Sequence, residues 1–292
     1  MKSALYKKVT SVIFLIVMML LYLTSCTFDP ATTESVPNHS TPTFSEPVHR
    51  PSQGLLYEVN KDGKSCTVVG LGSCADTEVY IPVEHNGYVV TNIGENAFAQ
   101  CKNITSITIP NSVTNIGDYA FQECWKLTSI EIPDSVTSIG KGAFQRCTSL
   151  TRIALPNGLT SIGPYSFRGC YGLTSIGPVG SGADLQIPAS VTSMGYDAFS
   201  ACSYLTSIVL PDQITSIGFA AFSSCVSLES VTIGKNSQLS IIDFEAFWGC
   251  TSLTNIAFEG TVEQWNTITK RYGWNDNVPA TEVNCKDGTV SL

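Results

Sequence analysis

The chain has 292 residues, 43% of them apolar and 14% charged, and a formal net charge of −8. Its first 25 residues hold Lys2, Lys7 and Lys8 and no acid, so without these three lysines the balance moves from −8 to −11. An acidic surface with no basic block repels nucleic acid and anionic lipid headgroups, which excludes both as electrostatic partners.

The N-terminus reads as an export signal. A basic start precedes the apolar run Val9 to Leu23, whose length suits a signal peptide and falls short of a spanning helix. The run ends in "LTSC", Leu23 to Cys26, which resembles the bacterial lipobox. That resemblance implies a signal peptide over residues 1–25, with Cys26 as the lipid-modified first residue of the exported protein and its link to the membrane. Residues 26–53 follow, rich in Pro, Ser and Thr and poor in apolar side chains, and read as a tether. His39 and His49 lie in it.

Beyond the tether one phrase recurs. Phe98/Cys101, Phe121/Cys124, Phe144/Cys147, Phe167/Cys170, Phe199/Cys202, Phe222/Cys225 and Phe247/Cys250 follow one another at steps of 23, 23, 23, 32, 23 and 25 residues. The unit is L-x-x-I-x-I-P-x-x-V-x-x-I-G-x-x-A-F-x-x-C-x-x, as in Leu127 to Ser149. Its opening is the leucine-rich-repeat strand pattern. With the A-F-x-x-C signature, the chain from about Leu55 to Gly288 resembles the BspA-type leucine-rich-repeat family of surface proteins. The expected fold is a repeat solenoid, a right-handed coil of stacked short parallel β-strands and short helical turns. Seven units occupy residues 92–258, between an N-terminal cap over 54–91 and a C-terminal cap over 259–292.

Each column of the unit has a physical reason. Leu127, Ile130 and Ile132 face inward from a strand stacked on its neighbours. Pro133, repeated at 82, 110, 156, 188 and 211, ends the ladder for want of an N–H. Val136 and Ile139 predict a second extended segment. Gly140, repeated at 94, 117, 163, 195 and 218, is expected to supply a positive φ at the next corner. Ala143, Phe144 and Cys147 are spaced for a short helical turn with a small, a large and a small buried residue. One unit cannot bury its faces alone, so stacking must complete the core. The cysteine column is expected to be reduced, because buried thiols behave as small apolar groups and parallel Cβ vectors disfavour bridging. Cys66, Cys74 and Cys285 lie outside it, and Cys66–Cys74 is the one pair suggested for a bridge. "GLLYEVNKDGKSCTVVGLG", Gly54 to Gly72, predicts a capping hairpin. Val262, Trp265 and Ile268, three apart, predict a short C-terminal helix, with Trp265 and Trp274 as cap packing.

The search for chemistry returns little. Only His85 lies beyond the tether, no phosphate loop or calcium loop occurs, and no C-x-x-C or Cys/His set suits a metal. No cofactor and no catalytic residue is expected. What remains is surface. The outward strand positions include Thr105, Thr128, Thr151 and Thr174, with Arg152 and Glu131 among their neighbours. Strand propensity explains that uniformity, and a neutral polar docking face is the functional alternative. Trp125, Tyr171, Tyr204 and Trp248, beside the cysteines, suit partner anchoring or packing between coils. The insertion "GPVGSGADL", Gly177 to Leu185, marks a binding edge or tolerated length drift. The resemblance implies adhesion: a lipid-anchored protein of the bacterial surface binding a protein or glycan of host, matrix or other cells. The alternatives are a structural or assembly component of the cell envelope and, more remotely, a glycan-active enzyme.

Overall fold

The computed structural model describes residues 50–176 and 187–292, which belong to one compact unit. The signal peptide, Cys26, most of the tether and the insertion Gly177 to Leu185 lie outside the described residues. The chain winds as a β-solenoid in which every coil adds one rung to each of three hydrogen-bonded ladders.

The first ladder is the L-x-x-I-x-I strand. Glu78–Tyr80, Ser106–Thr108, Ser129–Glu131, Arg152–Ala154 and Ser175–Ile176 pair in parallel, as do Ser207–Leu210, Ser230–Ile233, Asn255–Phe258 and Glu282–Cys285. The second ladder is the short segment after the proline. It runs from Ser65–Gly70 through Tyr88–Ile93, Asn115–Ile116, Ser138–Ile139 and Ser161–Ile162 to Ser193–Met194, and again over Ser216–Ile217, Ile241–Ile242 and Thr269–Lys270. Both ladders therefore extend into the terminal regions. At the start, Leu56–Val59 pairs antiparallel with Ser65–Gly70. At the end, Gly288–Ser291 folds back antiparallel on Glu282–Cys285. The predicted helix is present at Val262–Thr267, started by a capping box between Thr261 and Gln264. Trp265 and Trp274 are buried, with Trp265 beside Phe258 and Trp274 edge-on to Phe247.

The third ladder corrects the expected helical turns. The arc around each phenylalanine is a run of tight turns, and Val262–Thr267 is the one helix among the described residues. Two residues before and two after each phenylalanine, φ is positive: Asn96 and Gln100, Tyr119 and Glu123, Gly142 and Arg146, and so on to Glu245 and Gly249. A left-handed residue at every fourth position cannot continue a helix. Alternate N–H groups instead point along the stack. Phe98 donates to the Ala120 carbonyl at 2.8 Å, Phe121 to Ala143 at 2.8 Å and Phe144 to Ser166 at 2.8 Å, and this continues to Phe247 and Trp274. The residues between them donate within the coil, as Cys101 does to Phe98.

The glycine column also has a different cause from the one expected. Gly140 and its counterparts are not among the positive-φ residues. They are small because coils meet backbone to backbone there: a Cβ on Gly140 would lie 2.6 Å from the Gly117 carbonyl carbon, and one on Gly117 would lie 2.9 Å from that of Gly94. Inside, the seven phenylalanines form one continuous row. Successive ring centroids are 5.1–5.5 Å apart and interplanar angles are 2–10°, a stacked geometry within the favourable range.

Candidate functional site

The cysteine column lies deep in this core. From Cys124 to Cys250 each Sγ donates to the carbonyl of the phenylalanine one coil earlier, at 3.0–3.3 Å: Cys124 to Phe98, Cys147 to Phe121, Cys170 to Phe144, Cys202 to Phe167, Cys225 to Phe199, Cys250 to Phe222. A thiol fits here because it packs as an apolar group and still offers a weak donor. Burial pushes Cys170 and Cys250 up to about 12 and raises Cys147, Cys202 and Cys225 well above the usual 9.0. These thiols stay protonated at neutral pH and make poor nucleophiles. Cys66, Cys74 and the described column cysteines are all free, so the suggested Cys66–Cys74 bridge is not formed. Among the described residues no group of three His, Cys, Asp or Glu side chains suits a metal ion.

The outward threonines are tied into the ladder. Thr105, Thr128, Thr151 and Thr174 each donate both the backbone N–H and the hydroxyl to the carbonyl one coil earlier; for Thr151 the acceptor is Thr128, at 3.0 and 3.2 Å. A second such column runs through Thr114, Thr160 and Thr192. The column's uniformity follows from this shared bond. Glu131 lies in a recess of about 430 Å³ with Asp134, Pro133 and Pro156, while Arg152 is exposed on the neighbouring strand. Trp125 carries the Lys102 ammonium at 4.6 Å from its ring centre, and Tyr204 is exposed.

Tyr171 and Trp248 are brought together. Both line an open groove of about 620 Å³ on the turn face, with Arg146, Arg168, Asp197 and Phe219. The groove arises from two columns read along the stack. From Phe121 onward the position after each phenylalanine carries Gln122, Gln145, Arg168, Ser200, Ser223 and Trp248; the next carries Glu123, Arg146, Gly169, Ala201, Ser224 and Gly249. Small side chains in the middle leave a trough, closed at one end by the arginines and at the other by Trp248. Asp197 is buried and ion-paired with Arg168 at 3.7 Å. Beside the trough runs a band of aromatics that sequence reasoning missed: Tyr165 and Tyr196 in edge contact at 4.8 Å, then exposed Phe219 and Phe244, with Arg271 over Phe244. The signal was available, since these residues lie two or three positions before the repeat phenylalanine.

Three ladders around one buried row, with outward columns and an open groove, define a repeat solenoid suited to binding other macromolecules. The family model for the BspA type leucine rich repeat region matches residues 74–181 and 179–269 in six copies. The chain belongs to that family. Among solved structures it is similar to a leucine-rich-repeat protein of Treponema pallidum (T. pallidum, TpLRR), at 28% identity, TM-score 0.62, over 70% of this chain and 90% of that one. It is also similar to one from Bacteroides ovatus, at 32% identity and TM-score 0.66, over 78% of this chain and 56% of that one. No curated protein matches the chain. No helix among the described residues is long and apolar enough to cross a membrane.

Proposed function

We propose that the protein is anchored through lipid on Cys26 at the bacterial cell surface and binds macromolecular partners through the turn face of its solenoid. The observation that carries this reading is the groove that gathers Tyr171, Trp248 and Phe219, exposed aromatics of the kind that anchor partners, over an otherwise regular stack. The export signal and lipobox-like "LTSC" support the location, and the protonated, buried thiols weigh against nucleophilic chemistry by the cysteines. Adhesion to host or matrix components is the reading the family resemblance favours.

The test has two arms. Metabolic labelling with a fatty acid should mark the wild type and leave Cys26→Ala unlabelled. Cells carrying the full chain should bind at least one member of a panel of matrix proteins, epithelial cells and other bacteria. A blank panel, with cross-links trapping only components of its own envelope, would replace adhesion with envelope assembly.

A further inference from the structure

The trough has a more specific chemistry than a general docking face. We propose that it holds a neutral oligosaccharide lying lengthwise along the stack, an inference that rests on the surface-binding reading above. Tyr171 stands beside the fourth phenylalanine, Phe167, and Trp248 beside the seventh, Phe247, so three coil steps separate the two aromatic walls. The rings that mark those steps are 5.1, 5.5 and 5.4 Å apart. That rise is close to the advance of one pyranose residue in an extended chain, so the trough and a short glycan share a period. Tyr171, Phe219 and Trp248 are exposed aromatics lining the groove, the side-chain type against which the C–H surfaces of sugar rings pack.

Charge and hydrogen bonding narrow the class further. Arg146 and Arg168 are balanced in the groove by Asp197 and Glu245, so a polyanion gains no net attraction. The Arg168–Asp197 pair places donors and acceptors side by side, the arrangement that vicinal hydroxyls satisfy. On the floor lie Ser200 and Ser223, two small hydroxyl-bearing side chains. The backbone there is already engaged: Gly169 donates to Ser200, Ala201 to Ser223 and Ser224 to Trp248, at 2.7–2.8 Å. A peptide therefore finds no free strand edge to extend. Recognition falls to side chains, which favours a ring-and-hydroxyl ligand over an extended polypeptide.

Isothermal titration of the purified full chain tests this, using neutral hexasaccharides of glucose, mannose and N-acetylglucosamine, with a heparin fragment as the charged probe. At least one neutral hexasaccharide should bind. Trp248→Ala and Tyr171→Ala should each weaken that binding at least tenfold, while Tyr272→Ala, which alters an exposed aromatic outside the groove, leaves it unchanged. Melting curves show whether each variant remains folded, and either groove variant alone suffices. Blank neutral probes, preference for heparin, or binding indifferent to both groove substitutions would overturn the proposal. Cell binding separates the two levels. If cells still adhere to a protein on the panel while every neutral glycan fails, the oligosaccharide inference falls and the surface-binding reading stands.

Discussion

Coils two and three, around Phe121 and Phe144, and coils five and six, around Phe199 and Phe222, share one backbone and differ in their outer coat. In the former pair the positions after phenylalanine are filled. Gln122 donates to Gln145 at 3.0 Å and Arg146 pairs with Glu123 at 3.2 Å. In the latter the same positions hold Ser200, Ala201, Ser223 and Ser224, and the surface sinks into a trough. Underneath, the rings stack at 5.2 Å in one case and 5.5 Å in the other, and the ladder bonds of Phe121 and Phe199 are both 2.8 Å. The interior sets what each coil must be; the outside is left free to differ, and the difference is where the proposed docking trough lies.

The comparison breaks first if the cores are not equivalent. Phe144→Ala and Phe222→Ala each remove a fully buried ring flanked by two others, and each should cost about 3–5 kcal/mol in urea denaturation. Similar values at both sites are expected. Tolerance of the substitution at Phe222 alone would mean that the trough reflects a loose core and not a bare surface.

The thiols sharpen the same point through pH. Burial raises Cys170, in the coil between the two regions, and Cys250 to about 12 from the usual 9.0. Below pH 9 the thiol is neutral folded and unfolded, so nothing changes. Above it the unfolded chain loses the proton first, binds fewer protons than the folded one, and stability falls until the folded value is passed. Each such thiol lowers stability by up to about 1.4 kcal/mol per pH unit across that window. Urea midpoints measured under reductant should therefore drop from pH 9 upward, less steeply in Cys170→Ala. A flat profile would place the column in contact with water.

Filling the trough tests its surface origin directly. The double substitution Ser200→Gln and Ser223→Gln copies the Gln122–Gln145 arrangement into coils five and six. It should abolish binding of any groove ligand, a tenfold loss being about 1.4 kcal/mol, while the melting temperature holds. Undiminished binding would move the partner site elsewhere.

The inward half of this design was legible in the sequence and the outward half was not. Phe144, Cys147, Ile130 and Ile139 meet the same surroundings in every coil, so the period exposes them. The spacing of Val262, Trp265 and Ile268 announced the helix by a local rule. The turn arc escaped because its left-handed residues are only sometimes glycine: Gly142, Gly169 and Gly249 mark it, but Tyr119, Glu123 and Asp197 adopt the same conformation. They hold it because the ladder to the next coil fixes the arc, a constraint from outside the unit. Gly140 was misread for the reverse reason: glycine signals a turn within one coil, whereas here it answers the backbone of the coil beside it. The groove needed two columns compared between coils, and reading each unit along the chain gathers Tyr171 and Trp248 only as scattered aromatics.

The smallest effect belongs to the threonine face. Thr151→Val keeps the branched side chain that a strand favours and removes only the hydroxyl bond to the Thr128 carbonyl. That carbonyl still accepts the Thr151 N–H at 3.0 Å, so no buried acceptor is left bare. An exposed bond with a surviving partner should contribute no more than about 0.5–1 kcal/mol. The substitution should lower the urea midpoint slightly and leave partner binding untouched, since the hydroxyl is directed to the ladder and not outward. A loss of binding at unchanged stability would reverse the assignment, making the uniform face the docking surface and the trough incidental.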